Sequence, residues 1–84
     1  MKPAKRLAHR VIEGQAFVLE PREKMIHSLN PAASFIWERL CKGRAEEEIA
    51  AELCGEFEVA PAAARADVAE FLAELRAKRL LENA

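Results

Sequence analysis

The chain has 84 residues, of which 51% are apolar and 32% are charged, and its formal net charge at pH 7 is −1. A single domain of this size buries only about 60% of its unfolded surface, so it has little room for a deep active-site cavity. Nucleic-acid-binding domains usually carry a basic face, so the near-neutral charge argues against a nucleic-acid partner without excluding one. No apolar run approaches the roughly 20 residues that span a bilayer, and no apolar segment follows the basic N-terminus as in a signal peptide. We therefore expect a cytoplasmic protein with no membrane partner.

The N-terminal part of the chain has the pattern of a small antiparallel sheet. Residues 1–8 are polar and basic, and we expect them to form a flexible segment ahead of one domain over residues 9–84. Short apolar runs predict strands at residues 10–12, 16–19 and 25–29. Gly14 can take the positive φ of a hairpin turn between the first two strands, and Pro21 suits the second position of the next turn.

The apolar period changes from two to about 3.6 at Asn30-Pro31, which marks the start of a helical region. The Asn30 side chain can accept a hydrogen bond from the first helical turn, and Pro31 suits the first helical position. The spacing predicts helices over residues 31–42, 45–57 and 61–79, with Gly43 as the left-handed cap of the first. Ala45 precedes the second helix, where a side-chain cap would be usual.

The sequence contains no recognisable catalytic or metal-binding arrangement. Cys41 and Cys54 each follow a leucine in a predicted helix, which indicates small core residues rather than metal ligands. His9 and His27 have no cysteine or carboxylate at ligand spacing, and the three glycines are too scattered for a phosphate-binding loop. We therefore expect no enzymatic activity, no catalytic residues, no metal and no cofactor.

Two features indicate function through binding. The third strand could keep an open edge, to which an extended peptide can add through main-chain hydrogen bonds. The three helices also resemble a helix–turn–helix, whose third helix would enter DNA. The N-terminal half of that helix carries Arg65 beside Asp67 and Glu70, and acidic groups there repel phosphate. The charge pattern therefore favours a polypeptide partner.

A set of core and cap residues in a fixed order covers residues 11–81. These residues are Leu29-Asn30, Ala33, Ile36-Trp37, Gly43, Glu48-Ile49, Phe57-Glu58-Val59, Asp67-Val68, Phe71-Leu72, Leu75 and Leu80-Leu81. Their spacing resembles the PqqD family of small peptide chaperones, also called RiPP recognition elements. The resemblance implies an α+β, winged helix–turn–helix-like fold with three N-terminal antiparallel strands followed by three helices.

The resemblance also implies a non-catalytic function. Such domains bind the leader region of a ribosomally made precursor peptide by strand addition and present it to a modifying enzyme, often a radical SAM protein. The leader lies between the third strand and the third helix. Carried onto this chain, the implied peptide-binding residues are Met25, Ile26, His27, Ser28, Arg65, Val68, Ala69, Leu72 and Arg76. Val68 and Leu72 could equally be core residues, and Arg65 a surface residue.

The chain departs from the family pattern at three places. His27 stands where an aromatic residue is common, which implies a more polar and pH-sensitive groove. The turn over residues 21–24 lacks the glycine often found there, and Ala45 replaces the usual Ser or Thr cap.

Other functions stay open at this point. A winged-helix DNA-binding or transcription-regulating module would bind DNA in a salt-dependent way through Arg65, and a structural domain would bind a folded enzyme without a leader. The open edge could also pair with a second copy to form a homodimer. The sequence does not identify the precursor or its modification, and the pyrroloquinoline quinone pathway is one possibility among several.

Overall fold

The computed structural model describes residues 2–3, 7–20 and 24–82. The elements are β1 (Lys2–Pro3), β2 (Ala8–Ile12), β3 (Gln15–Glu20), β4 (Met25–Ser28), α1 (Pro31–Cys41), α2 (Glu46–Phe57), α3 (Pro61–Ala77) and β5 (Leu81–Glu82). Strands β2, β3 and β4 form an antiparallel sheet with β3 in the middle, and the three helices follow it. The α+β prediction of three strands and then three helices is confirmed, with each predicted end within two residues of the observed one.

Residues with positive φ make the tight connections of the sheet. Glu13 and Gly14 join β2 to β3 with φ values of 51° and 81°, as a two-residue turn with positive φ at both central positions requires. The predicted role of Gly14 is therefore confirmed. Lys24, directly before β4, has a φ of 53°, so a lysine takes a conformation that favours glycine. The predicted turn at Pro21 lies outside the described residues.

The junction between β4 and α1 is held by side-chain hydrogen bonds. The Asn30 side chain accepts a hydrogen bond of 2.8 Å from the Ala33 N–H, as predicted for the helix cap. Ser34 is buried, and its Oγ accepts a hydrogen bond of 2.8 Å from the Ala16 N–H. The same hydroxyl donates to the Leu29 carbonyl at 3.1 Å. Ser34 therefore connects the first turn of α1 to β3 and to the end of β4.

The core lies between the inner face of the sheet and the three helices. Ala16 and Val18 point inward from β3 and are fully buried, as is Trp37 of α1. The other fully or nearly fully buried apolar residues of the helices and the C-terminal tail are Ile36, Leu40, Ile49, Ala50, Leu53, Ala64, Val68, Leu72, Leu75 and Leu80. The prediction of two buried cysteines is wrong for Cys41, which is exposed, whereas Cys54 is half-buried and donates to the Val59 carbonyl at 2.8 Å.

Two short terminal strands add to the predicted elements. Lys2 pairs with Glu82 and Pro3 with Leu81, which brings the two ends of the described chain together. Segments of two residues are too short to show an alternating pattern, so they were not predicted. The flexibility of residues 1–8 as a whole stays a prediction. Within the described part of the chain, no helix has both the length and the apolar content needed to cross a membrane.

Candidate functional site

Strand β4 has one edge without a strand partner in the described sheet. Its register places Leu29 opposite Ala16, and the Leu29 N–H donates to the Ala16 carbonyl at 2.9 Å. Antiparallel pairing alternates, so His27 and Met25 are the other residues of β4 whose backbone groups face β3. The N–H and C=O groups of Ile26 and Ser28 consequently point to the free edge, where two donors and two acceptors are available.

The side chains of β4 alternate between the two faces of the sheet. His27 lies opposite Val18 and shares its inner, helix-facing side, whereas Ile26 lies opposite Leu19 on the outer side. Ile26 and Met25 are 66% and 51% exposed. The His27 Nε2 lies 3.2 Å from the Glu20 Oε2, and both side chains are only 13% exposed. This contact holds the imidazole in place at the edge strand.

A groove of about 540 Å³ lies between the end of β4 and one side of α3. Its floor contains buried apolar residues from the strand end, α1, α3 and the tail: Leu29, Ile36, Phe71, Leu75 and Leu80. The other described residues that line it are His27, Ser28, Asn30, Ala32, Ala33, Asp67, Glu70, Glu74 and Lys78. The groove therefore combines an apolar floor with a charged wall on α3, directly beside the open strand edge.

The predicted site residues fall into two groups. His27 and Ser28 line the groove, and Met25 and Ile26 lie on the same strand beside it. On α3, Val68 and Leu72 are fully buried core residues, while Arg65, Ala69 and Arg76 are exposed and do not line this groove. Arg65 instead lines a second cavity, of about 400 Å³, between α2 and the start of α3. Peptide contact by the predicted α3 residues stays a prediction.

Cysteine, histidine and acidic residues are the side chains that could hold a metal ion or react as nucleophiles. No group of three or more His, Cys, Asp or Glu within the described ranges is arranged to hold a metal ion. The Cys41 Sγ lies 4.0 Å from the His9 Nδ1. Although Cys41 as a residue is exposed, partial burial of its thiol group and, secondly, the negative charge of Glu38 raise the pKa of Cys41 above its usual range. A raised pKa keeps the thiol protonated and weakly nucleophilic at neutral pH.

Comparisons with known proteins agree with this geometry. The model of the family described as coenzyme PQQ synthesis protein D (PqqD) matches residues 15–81. The chain belongs to the PqqD family. The resemblance to the PqqD family that the sequence shows is therefore confirmed. No curated protein sequence matches the chain significantly.

Three solved structures share the fold of this PqqD-family chain. TbiB1 in complex with the TbiA(beta) leader peptide is 28% identical, with a TM-score of 0.93 over 100% of this chain and 98% of that one. A lasso peptide synthetase B1 complexed with the leader peptide is 22% identical, with a TM-score of 0.88 and coverage of 98% and 96%. The PqqD truncation of Methylobacterium extorquens PqqCD, a functional and stand-alone RiPP recognition element, is 24% identical, with a TM-score of 0.78 and coverage of 98% and 87%.

The α3 face that lines the groove of this PqqD-family chain was not found from the sequence. The core stripe of α3 has a polar flank on each side, and the predicted residues Arg65, Ala69 and Arg76 lie on one of them. The groove is lined by the other flank, with Asp67, Glu70 and Glu74. The amphipathic pattern identifies the stripe but not the flank that faces β4, because that depends on how α3 is oriented relative to the sheet. The available signal was the row of acidic residues at i, i+3 and i+7 beside the stripe.

Proposed function

We propose that this chain binds the leader region of a ribosomally made precursor peptide as an additional strand on β4 and presents it to a modifying enzyme. In this proposal the chain performs no catalysis itself. The observation that carries the proposal is the open edge of β4 next to the groove along α3. Membership in the PqqD family and the likeness to TbiB1, which was solved with a leader peptide, support it.

The free edge of β4 offers a defined set of main-chain contacts. A leader strand could form four hydrogen bonds with the outward groups of Ile26 and Ser28, at a net value of about 0.5–1.5 kcal/mol each. The loss of translational and rotational freedom on association costs an estimated 4–15 kcal/mol, so these bonds alone do not give stable binding. Leader side chains must therefore also bury apolar surface in the groove.

The alternation of a strand determines which leader side chains reach the groove. A leader residue opposite His27 shares the inner side of the sheet with it, as do the residues opposite Met25 and Leu29. Each apolar side chain that becomes fully buried contributes about 1.5–3 kcal/mol. β2 is also at the edge of the sheet, but none of the residues that line the groove belongs to it. β4 is therefore the edge that combines main-chain pairing with side-chain burial.

The peptide-binding residues follow from this placement. Met25, Ile26, His27 and Ser28 form the strand side of the site, and Val68 and Leu72 support the α3 wall from within the core. Contacts by Arg65, Ala69 and Arg76 require the leader to reach the flank of α3 that faces away from the groove. Substitutions on each flank of α3 show which flank contacts the leader, because only those on the contacting flank weaken leader binding.

The partners follow from the same proposal. The modifying enzyme is a radical SAM protein or another peptide-modifying enzyme, and a neighbouring gene for such an enzyme beside a short precursor gene supports this role. The β4 edge can also pair with a second copy of the chain, since both occupants use the same main-chain groups. Sedimentation of the chain alone and with leader tests this, because a homodimer formed through β4 must dissociate when the leader binds.

The first test is a backbone-amide NMR titration with the leader peptide of a precursor encoded beside this chain. Shifts concentrated in residues 25–29 and on the groove side of α3 support the proposal. Shifts centred on Arg65 and Ala69 move the helix contact to the other flank. The absence of shifts on a well-folded domain overturns the leader-binding function.

The substitution Ile26→Pro tests strand addition directly. Proline replaces the outward N–H of Ile26 with a ring that obstructs the approach of the leader backbone, and it removes no hydrogen bond to β3. We therefore expect loss of leader binding by a domain that stays folded. Ile26→Ala is the matched control because it removes the exposed side chain but keeps the N–H. Leader affinity that is unchanged in a folded Ile26→Pro variant would contradict the mechanism.

A further inference from the structure

The α3 wall of the groove carries three carboxylates that form no ion pair with another described residue. Asp67, Glu70 and Glu74 all line the groove and are exposed. The ion pairs found among the described residues involve none of them. Lys78 is the one basic residue on this wall, and it lies at the C-terminal end. The wall is therefore negative over most of its length.

We infer that the groove selects leader peptides with Lys or Arg at groove-facing positions, an inference that rests on the proposed function. The apolar floor and the open strand edge supply the binding site, and the carboxylates add a charge preference to it. The occupant we propose is a cationic stretch of an extended peptide, because its charge is opposite to that of the wall. A nucleic acid has the wrong charge for this surface, since its phosphates would face the carboxylates.

The spacing of the carboxylates fits an extended peptide. With a rise of 1.5 Å per helical residue, Asp67 and Glu74 are separated by about 10.5 Å along the axis, with Glu70 between them. Groove-facing residues of a strand recur about every 6.6–6.8 Å. A leader that runs along α3 therefore places two successive groove-facing side chains alongside the carboxylate row. The long and flexible side chains of Lys and Arg can reach it while their methylene groups cover the apolar floor.

The position of Lys78 makes the charge preference differ between the two ends of the groove. It follows Glu74 by one helical turn and reverses the sign of the wall near Leu80. A leader with basic residues opposite Asp67, Glu70 and Glu74 and a neutral or acidic residue opposite Lys78 matches the whole wall. A uniformly basic leader meets repulsion at that end. The preferred peptide is consequently cationic over two groove-facing positions and not beyond them.

The test measures leader affinity by fluorescence anisotropy for wild type and for E70Q/E74Q. The probe is the labelled leader peptide of a precursor encoded beside this chain, together with a version in which Lys and Arg are replaced by Gln. We expect E70Q/E74Q to bind the natural leader about three- to tenfold more weakly, a range typical of a few partly exposed ion pairs. We also expect it to lose most of the dependence on salt. The matched control is E56Q, which removes an exposed carboxylate of α2 outside the groove.

A charge reversal gives a result that misfolding cannot imitate. E70K/E74K should bind a leader in which Lys and Arg are replaced by Glu more tightly than it binds the natural leader. Equal binding of the natural leader by wild type and E70Q/E74Q, without salt dependence, overturns the charge preference and leaves the proposed function intact. A wild-type domain that is folded but binds neither leader overturns the proposed function and this inference with it.

Discussion

Ser34 shows how one buried polar residue can position an edge strand. Its hydroxyl accepts a hydrogen bond from the Ala16 N–H and donates one to the Leu29 carbonyl. One side chain therefore satisfies two backbone groups beside the end of β4. Leu29 in turn pairs with Ala16, which sets the register of β4 and determines that Ile26 and Ser28 face the free edge. The orientation of the edge therefore depends on a residue outside the groove.

Ser34→Ala is expected to destabilise the fold by about 1–3 kcal/mol. The substitution leaves the Ala16 N–H and the Leu29 carbonyl without their buried side-chain partner, and unsatisfied buried groups cost that much. Urea unfolding followed by circular dichroism measures the loss. Ser28→Ala is the control, because Ser28 is exposed and its substitution should change stability by less than about 0.5 kcal/mol. Equal stability of the two variants would show that the Ser34 hydrogen bonds contribute nothing net.

Cys41 is expected to react slowly with iodoacetamide, because partial burial of its thiol and the charge of Glu38 raise the pKa of that group. In a Cys54→Ser background, the alkylation rate at pH 8 should be lower than that of a thiol in a short unfolded peptide. Glu38→Gln removes the second cause and should increase the rate, whereas Glu56→Gln should not. A rate equal to that of the peptide would contradict the raised pKa.

The raised pKa of Cys41 also makes the stability of the domain decrease at alkaline pH. The folded state holds the Cys41 proton more tightly than the unfolded state does. The protonated Cys41 thiol therefore makes its full contribution to the free energy of unfolding below the usual thiol pKa of about 8.5. This contribution is lost as the pH rises through the higher pKa of the folded state. Cys41→Ala should remove this alkaline loss in thermal unfolding measured between pH 7 and 10.

At the scale of elements, the ends of α1 and α3 show why one boundary was predicted better than the other. In both, the last residues form the paired hydrogen bonds of a Schellman motif: Gly43 to Leu40 and Arg44 to Arg39 in α1, and Arg79 to Arg76 and Leu80 to Leu75 in α3. Gly43 is visible in the sequence as a left-handed cap. In α3 the left-handed position is occupied by Arg79, with a φ of 58°. Because arginine is a good helix former, the predicted helix continued to residue 79.

Arg79→Gly is expected to stabilise the domain by about 0.5–1 kcal/mol. A left-handed conformation costs a non-glycine residue roughly 1–2 kcal/mol, and the greater freedom of glycine in the unfolded chain offsets part of the gain. Ala73→Gly, at an exposed position inside the same helix, should instead destabilise by about 1 kcal/mol. Denaturant unfolding of the two variants gives the comparison, and a destabilised Arg79→Gly would show that the arginine side chain contributes more than its backbone strain costs.

At the scale of the whole molecule, local signals explain what the sequence could predict. The change of period at Asn30-Pro31, the turn at Gly14 and the apolar stripes of the helices depend on neighbouring residues, and they identified the order of strands and helices. The pairing of β1 with β5 joins the two ends of the described chain, and the position of the α3 flank across the groove from β4 depends on the orientation of α3 relative to the sheet. No local pattern encodes either. The strand half of the groove was consequently predicted, while the acidic wall of α3 was not.

The size of the domain also makes leader binding measurable through stability. A domain of 84 residues is marginally stable, and a ligand that binds only the folded state at 100 times its Kd adds about 2.7 kcal/mol. For domains of this size each kcal/mol raises Tm by about 4–8 °C, so saturating leader should raise it by roughly 11–22 °C in differential scanning fluorimetry. Ile26→Pro should show no increase, because its ring replaces the outward N–H and obstructs the leader backbone, whereas Ile26→Ala should keep most of the increase. The increase should also shrink at high salt if the carboxylates of α3 contribute to the affinity. A Tm that does not change at saturating leader would mean that the peptide binds the folded and unfolded chains equally, which an ordered strand on β4 does not allow.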